Sequence, residues 1–417
     1  MSGQGTVRSS KAGALTIFLV AAEESGDRLG AALMRALTVR TAGAVRFVGI
    51  GGHEMAAEGL TTLASVKQFA FIGFGGLVRH LPALIRYMRA TAAAAVAARP
   101  DVLVIIDSPD FTHRIARMVR ARSPTIPVVN YVSPSVWAWR PWRARAMRAY
   151  VDHVLALLPF EPAALAKLGA PPCSYVGHPL TEQIAKLRPN AEETRRRQTN
   201  PPVVLVLPGS RAGEIRRLAP IFGETLERVR DRFGPFEAVL PTVPHLAERV
   251  RQATAGWGVP PRIVIEPAEK LSAFRNARAA LAKSGTVTLE LALAGVPMVT
   301  AYRVMHIEAA ILRRIALVDT VILANLVAGE RFVPEFLQRA CTPQNLANAL
   351  LPLLGDTPER RRQTEMFERF DEIMEIGNAN PSQRAAEIVL DIAAPHFAAS
   401  LAPSSCRDQF AEDSRER

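Results

Sequence analysis

Apolar residues in this chain gather into short runs bounded by turn residues, separated by longer stretches of helical periodicity. Such runs at residues 15–21, 45–50, 102–106, 128–132 and 153–156 predict strands buried on both faces. Helical stretches, among them 29–39 and 81–98, lie between most of them, and that alternation predicts a parallel sheet covered on both sides. A second series begins at residue 203, with strands predicted at 203–207, 238–241, 262–265, 279–282 and 298–301. The charged, polar stretch between about 180 and 200 reads as the junction. The expected organisation is a flexible tail at 1–13, one α/β domain at 14–187 and another at 200–380. An amphipathic helix at 381–397 and a disordered polar tail at 398–417 complete it. The early run 15–21 passes straight into a polar turn, so it is expected to be the first strand and not a signal sequence.

Ligands of parallel sheets bind beyond the carboxyl ends of the strands. The polar strings of this chain fall there. Glu23-Glu24-Ser25-Gly26-Asp27, Asp107-Ser108-Pro109-Asp110 and Ser133-Pro134-Ser135 follow first-domain strands. Pro208-Gly209-Ser210-Arg211 and Ser284-Gly285-Thr286 follow second-domain strands. The expectation is two mouths facing one another across an interdomain cleft.

Ser284-Gly285-Thr286 reads as a turn into a short helix, where glycine admits close backbone approach and the helix start favours an anion. Glu290 shares a helical face with Thr286 and could reach a sugar hydroxyl. An ordinary capped connection is the competing reading. Arg211 offers a fork for phosphate oxygens or is a solvated surface group, and Glu214 and Arg216-Arg217 read as a solvated helix face. In the Asp107 string, Ser108 suits a cap, Pro109 the first helical position and Asp110 the helix dipole. Asp107 is left over at the strand end, as a structural carboxylate or as a base for an attacking hydroxyl. A metal held by both aspartates is a weaker alternative, since no further ligand stands nearby. His178 binds substrate or satisfies a local backbone group, the latter being preferred.

The 417 residues carry 51 basic and 39 acidic side chains, a formal charge of +12, which suggests an anionic partner. Aromatics are only 6% and no stacking residues punctuate a basic run, so nucleic acid is not expected. Cys173, Cys341 and Cys406 have no pairing or zinc spacing, and reduced thiols are expected. Trp137, Trp139 and Trp142 alternate with Arg140, Arg143 and Arg145; two of the tryptophans are expected in the core, with the arginines available to lipid phosphate. In segment 69–89, Phe71, Ile72, Phe74 and Leu77 are either core or a surface that receives acyl chains.

Taken in order, EESGDRLGAALMRAL, DSPDF, YVSPSVWAWR, LPFEP, YVGHPL, LPGSR, SGTVTLELALAGVPMVTAYR and the NLVAG and PEFLQ strings resemble the lipid-A-disaccharide synthase family over residues 14–390. YVSPSVWAWR is very specific, whereas SGT followed by LE is shared with other nucleotide-sugar enzymes. The resemblance implies two Rossmann-like domains facing a cleft, the glycosyltransferase-B fold. It implies inverting transfer from UDP-2,3-diacylglucosamine to 2,3-diacylglucosamine 1-phosphate, with no metal or other cofactor, at the anionic inner membrane of a Gram-negative cell. Asp107 falls on the family's catalytic base. Arg211, Ser284, Gly285, Thr286, Glu290 and Asn325 fall on its donor-binding strings. Glu23, Ser25, Asp27, Ser133 and Ser135 fall on the expected acceptor side. The chain departs from the family's pattern at Ala22, Glu24, Gly76 and Ala324. The alternatives are another nucleotide-sugar enzyme, such as an epimerase or a lipid-carrier glycosyltransferase, and a non-catalytic nucleotide- or lipid-binding protein.

Overall fold

The computed structural model describes residues 13–65, 77–304, 317–377 and 380–401, which divide between two units. Phe71, Ile72 and Phe74 lie outside the described residues, as does the side chain of Leu77.

In the first unit, β1 (Leu15–Ala21), β2 (Val45–Gly51), β3 (Thr61–Ser65), β4 (Val102–Ile106), β5 (Val128–Tyr131), β6 (His153–Ala156) and β7 (Cys173–Tyr175) form one parallel sheet. Its order is β3-β2-β1-β4-β5-β6-β7. Successive side chains of a strand point to opposite faces, and both faces are buried here. Ile17, Leu19 and Ala21 therefore join one core while Phe18 and Val20 join the other. Val102, Val104 and Ile106 divide from Leu103 and Ile105 in the same way.

The second unit repeats the scheme with β8 (Val203–Leu207), β9 (Glu237–Pro241), β10 (Arg262–Val264), β11 (Ala279–Lys283), β12 (Met298–Tyr302) and β13 (Glu335–Leu337). Their order is β10-β9-β8-β11-β12-β13, again all parallel. Val203, Leu205 and Leu207 serve one core, Val204 and Val206 the other.

Strands β3, β7 and β13 are absent from the hydrophobic pattern for one reason. Each is a sheet edge, and β7 and β13 have no fully buried residue. The expected strand at 128–132 stops at Tyr131, because Val132 turns to a φ of +80° and leaves the ladder.

The helix expected at 381–397 runs over Pro381–Leu401 and belongs to the first unit. Ala385, Ala386, Val389 and Ala393 enter the core beside the helix Glu24–Arg40, and Arg40 pairs with Glu387. Two of Trp137, Trp139 and Trp142 are expected in the core, and none of the three is buried. Trp137 and Trp139 are half-exposed and Trp142 is 65% exposed, because these short helices bury only Val136, Ala144 and Met147.

Both sheets reverse strand order once, between β1 and β4 in the first unit and between β8 and β11 in the second. Beyond each reversal the loops diverge and leave room for a ligand. Those two places are the candidate sites.

Candidate active site

At the first reversal, the loop after β1 meets the loop after β4. Ser25, exposed in the first turn of the helix Glu24–Arg40, donates its hydroxyl to Asp107 Oδ2 at 3.1 Å. Asp107 Oδ1 accepts the N–H of Ser108 at 2.7 Å, and the Asp107 N–H donates to the Tyr131 carbonyl at 3.0 Å. The carboxylate is half-buried and keeps lone pairs open to a further donor.

The backbone here is unusual. Asp107 and Ser108 have φ of +54° and +45°, and Val132, at the end of the neighbouring strand, +80°. Each such conformation costs about 1–3 kcal/mol in a residue with a side chain, so the surroundings must hold it. Thr112 Oγ1 does part of this by donating to the carbonyls of Asp107 at 2.7 Å and Ser108 at 3.2 Å. Asn130 donates to the Val132 carbonyl at 3.2 Å, and the Val132 N–H reaches the Leu155 carbonyl at 3.0 Å. The result turns the Asp107 side chain out of the strand and toward Ser25.

Ser108 precedes the helix Pro109–Arg122 but does not cap it with its side chain; its hydroxyl is buried without a partner among the described residues. A left-handed φ points that side chain away from the helix N–H groups. Asp110 is exposed and paired with Arg143 at 2.9 Å, as suits an acid at a helix start. Behind them, buried His113 lies 3.1 Å from the Tyr150 hydroxyl; burial and then the Arg117 charge push its pKa down to about 4.

Other residues of the expected acceptor side take different positions. Glu23 and Ser135 are exposed, and Ser133 is buried beyond β5. Asp27 is only 4% exposed, and both carboxylate oxygens are occupied. They accept the N–H groups of Gly52 at 2.7 Å, Glu54 at 2.9 Å and Met55 at 3.1 Å, at the start of the helix His53–Ala57. Asp27 therefore acts as a structural cap that ties two loops together.

At the second reversal a pocket of about 210 Å³ opens beyond β8 and β11, lined by Ser210, Glu214, Lys270, Lys283, Thr286 and Glu290 among others. Gly285 also lines it. Glu290 is paired with Lys270 at 2.8 Å. Lys283, the last residue of β11, lies 3.2 Å from Glu214, with side chains 17% and 11% exposed. Glu214 Oε2 also accepts the N–H groups of Ser210 at 3.0 Å and Arg211 at 3.3 Å. A side chain at Gly209, whose φ is +127°, would collide with that carboxylate at 2.4 Å, so only glycine lets the loop wrap it. Glu214 is thus an organiser of the pocket, not the solvated face its helical position suggests. Periodicity cannot show this, because the turn of the loop brings the helix start inward.

Ser284 is 3% exposed, and its hydroxyl has no partner among the described residues. Arg211 is 82% exposed, 3.7 Å from Glu214, and outside the pocket lining. Asn325 is 2% exposed and fully engaged, accepting from Phe332 N at 3.3 Å and Val333 N at 3.0 Å while donating to the Val333 carbonyl at 3.0 Å. The amide closes a loop of its own chain. His178 Nδ1 accepts the Leu180 N–H at 3.2 Å, the local role preferred from sequence, and burial pushes its pKa down to about 4.

Arg197 supports the pocket from the far ends of two helices. Its guanidinium donates to the carbonyls of Phe274 and Arg275 and of Ala294 and Gly295, at 2.7–3.1 Å. The first pair closes the helix Pro267–Asn276, which carries Lys270. The second closes Val287–Leu293, which carries Glu290. Among the described residues no group of three or more His, Cys, Asp or Glu is arranged to hold a metal, and no helix is long and apolar enough to cross a membrane.

The family model described as lipid-A-disaccharide synthetase matches residues 17–389. The chain belongs to that family. The lipid-A-disaccharide synthase of Rhodopseudomonas palustris is 59% identical over 377 residues, covering 90% of this chain and 96% of that one. The Bradyrhizobium diazoefficiens synthase is 61% identical over 374 residues, 90% and 95% of the two chains. That of Rhodospirillum centenum is 43% identical over 381 residues, 91% and 94%. Membership makes the chain a hexosyltransferase of lipid A disaccharide synthesis.

Solved structures resemble it at fold level. The calicheamicin glycosyltransferase CalG4 matches with a TM-score of 0.55 and 17% identity, over 94% of this chain and 100% of that one. A UDP-GlcNAc 2-epimerase from Neisseria meningitidis matches with a TM-score of 0.57 and 13% identity, over 91% and 99%. The fold is that of the glycosyltransferase-B enzymes, two Rossmann-like units in one chain.

Proposed function

We propose that Asp107 is the catalytic base of the synthase reaction and that the second unit's pocket takes the nucleotide of the donor. The donor is UDP-2,3-diacylglucosamine and the acceptor 2,3-diacylglucosamine 1-phosphate. Asp107 removes the proton of the acceptor 6-hydroxyl. The freed oxygen bonds to the donor's anomeric carbon with inversion, and the bond from that carbon to the diphosphate breaks with its electron pair leaving on UDP. A base of this kind contributes about 10²–10⁴ in rate. The observation that carries the reading is the Ser25–Asp107 contact at the strand reversal, on backbone held in a costly conformation. Sites retain such strain when it aims a reacting group.

In the second unit, Glu290 suits a ribose hydroxyl, while the Ser284-Gly285-Thr286 turn suits the diphosphate. Arg211 adds an exposed cation that can swing to the phosphates from solvent. Charge developing on the leaving group then meets fixed positive groups. Glu23, Ser25, Ser133 and Ser135 remain the proposed acceptor side. Both substrates carry acyl chains, so the enzyme works against the cytoplasmic face of the inner membrane, with Phe71, Ile72, Phe74 and Leu77 as proposed lipid contacts. The basic charge of +12 favours an anionic surface.

The test is incubation of purified protein with both acylated glucosamine substrates, with UDP and disaccharide measured by mass spectrometry. Equal amounts of the two products are expected. UDP released without disaccharide would contradict the acceptor assignment.

A further inference from the structure

We infer that Lys283 is the pocket's half-buried counter-ion for the donor diphosphate, held ready by Glu214 until nucleotide binds. This rests on the reading of the second unit's pocket as the donor site.

Three observations converge on Lys283. Its side chain is 17% exposed, in the pocket lining, at the end of the central strand β11. Its ammonium overhangs the Ser284-Gly285-Thr286 turn, since a Cβ built on Gly285 would stand 3.1 Å from Nζ. Glycine there leaves room for both the lysine head and a ligand against the backbone. The same ammonium is 5.3 Å from the ring centroid of Tyr302, which restrains the other side.

The Glu214 carboxylate faces the same ammonium. It gathers an ammonium, the Ser210 and Arg211 N–H groups and, at 3.7 Å, the Arg211 guanidinium. That donor set is one a phosphate group would recruit. The carboxylate keeps these donors converged. Lys270 is already paired with Glu290, and Arg211 is largely in solvent. An arriving diphosphate brings charge that the two internal ion pairs do not offset. Lys283 can turn from Glu214 to a phosphate oxygen without leaving the pocket, while Glu214 continues to hold the Ser210 loop.

Calorimetric titration with UDP and with uridine tests this on the wild type, Lys283→Met, Lys283→Arg and Glu290→Ala, each first shown to melt cooperatively. Lys283→Met is expected to weaken UDP on the order of 10- to 100-fold, the scale of a lost charge-assisted hydrogen bond. Uridine, which has no phosphate, should bind that variant as it binds the wild type. Lys283→Arg should recover most of the UDP affinity, and Lys283→Met should flatten its salt dependence. Equal weakening of UDP and uridine would make Lys283 structural and overturn the inference, as would unchanged UDP affinity. If Glu290→Ala weakens both ligands while Lys283→Met weakens neither, Lys283 alone is wrong. If neither substitution affects either ligand, the donor-site reading itself falls.

Discussion

The Ser25 hydroxyl and the Asp107 carboxylate meet at 3.1 Å, although 82 positions separate them in the chain. They meet because β1 and β4 are neighbours at the one place where the first sheet reverses its strand order. The second sheet reverses between β8 and β11, and there Glu214 and Lys283 meet at 3.2 Å. The same topology thus builds an acidic site in one unit and a cation-bearing pocket in the other.

Asp27→Asn should destabilise the protein without a selective loss of substrate affinity. An amide nitrogen facing the Gly52, Glu54 or Met55 N–H groups leaves a buried donor unpaired, a loss of about 1–3 kcal/mol. Urea unfolding measures it. A variant as stable as the wild type with weakened acceptor binding would restore Asp27 to direct contact.

Asn325→Ala should likewise act through folding. It strands the Phe332 and Val333 N–H groups and the Val333 carbonyl, all buried, at a cost of about 2–4 kcal/mol. Asn325→Asp keeps the acceptors but sets a carboxylate against the Val333 carbonyl, so it should recover only part of the stability. Normal melting with a large fall in kcat would show that the side chain acts on substrate instead.

Stability should fall as pH drops below the ordinary histidine range. His113 has its pKa pushed from 6.5 to about 4, so an unfolded chain takes up a proton there before the folded one does. Its contribution is fully present above pH 6.5 and is lost progressively toward pH 4, by up to about 3 kcal/mol. His178, also near 4, adds to the same slope. Urea unfolding across that window should show a shallower dependence for His113→Gln. An unchanged slope would mean that His113 takes its proton in the folded state.

Arg197→Ala should loosen the pocket from behind. Four carbonyls at two helix ends lose their donor, and Lys270 and Glu290 ride on those helices. The expected outcome is a lower melting temperature and a raised donor KM, with Arg197→Lys recovering little because one ammonium cannot span both helix ends. A Lys variant equal to the wild type would remove the clamp.

Much of this architecture is legible in the hydrophobic pattern. Leu15–Ala21, Val102–Ile106 and Val203–Leu207 are strands at the residues where apolar runs predict them, because a strand covered on both faces is apolar along nearly its whole length. Thr61–Ser65 and Glu335–Leu337 carry no such signature, since an edge strand needs little apolar surface. The polar loops are legible in the sequence, but their wiring is not. Asp27, Asn325 and Glu214 are polar residues in polar strings, and only their hydrogen-bond partners, which periodicity does not reveal, show the structural role of each. Lys283 was invisible for a related reason: it closes an otherwise apolar strand, and its partner lies 69 positions earlier, on the helix Ala212–Phe233.

In the proposed reaction Asp107 activates the acceptor while the donor nucleotide is held elsewhere. Single-turnover transfer by Asp107→Ala, at donor concentrations shown by titration to saturate it, tests this most directly. Donor affinity close to wild type with transfer slowed about 10²-fold or more is the predicted result. Disaccharide formed at the wild-type rate by the saturated variant would contradict it.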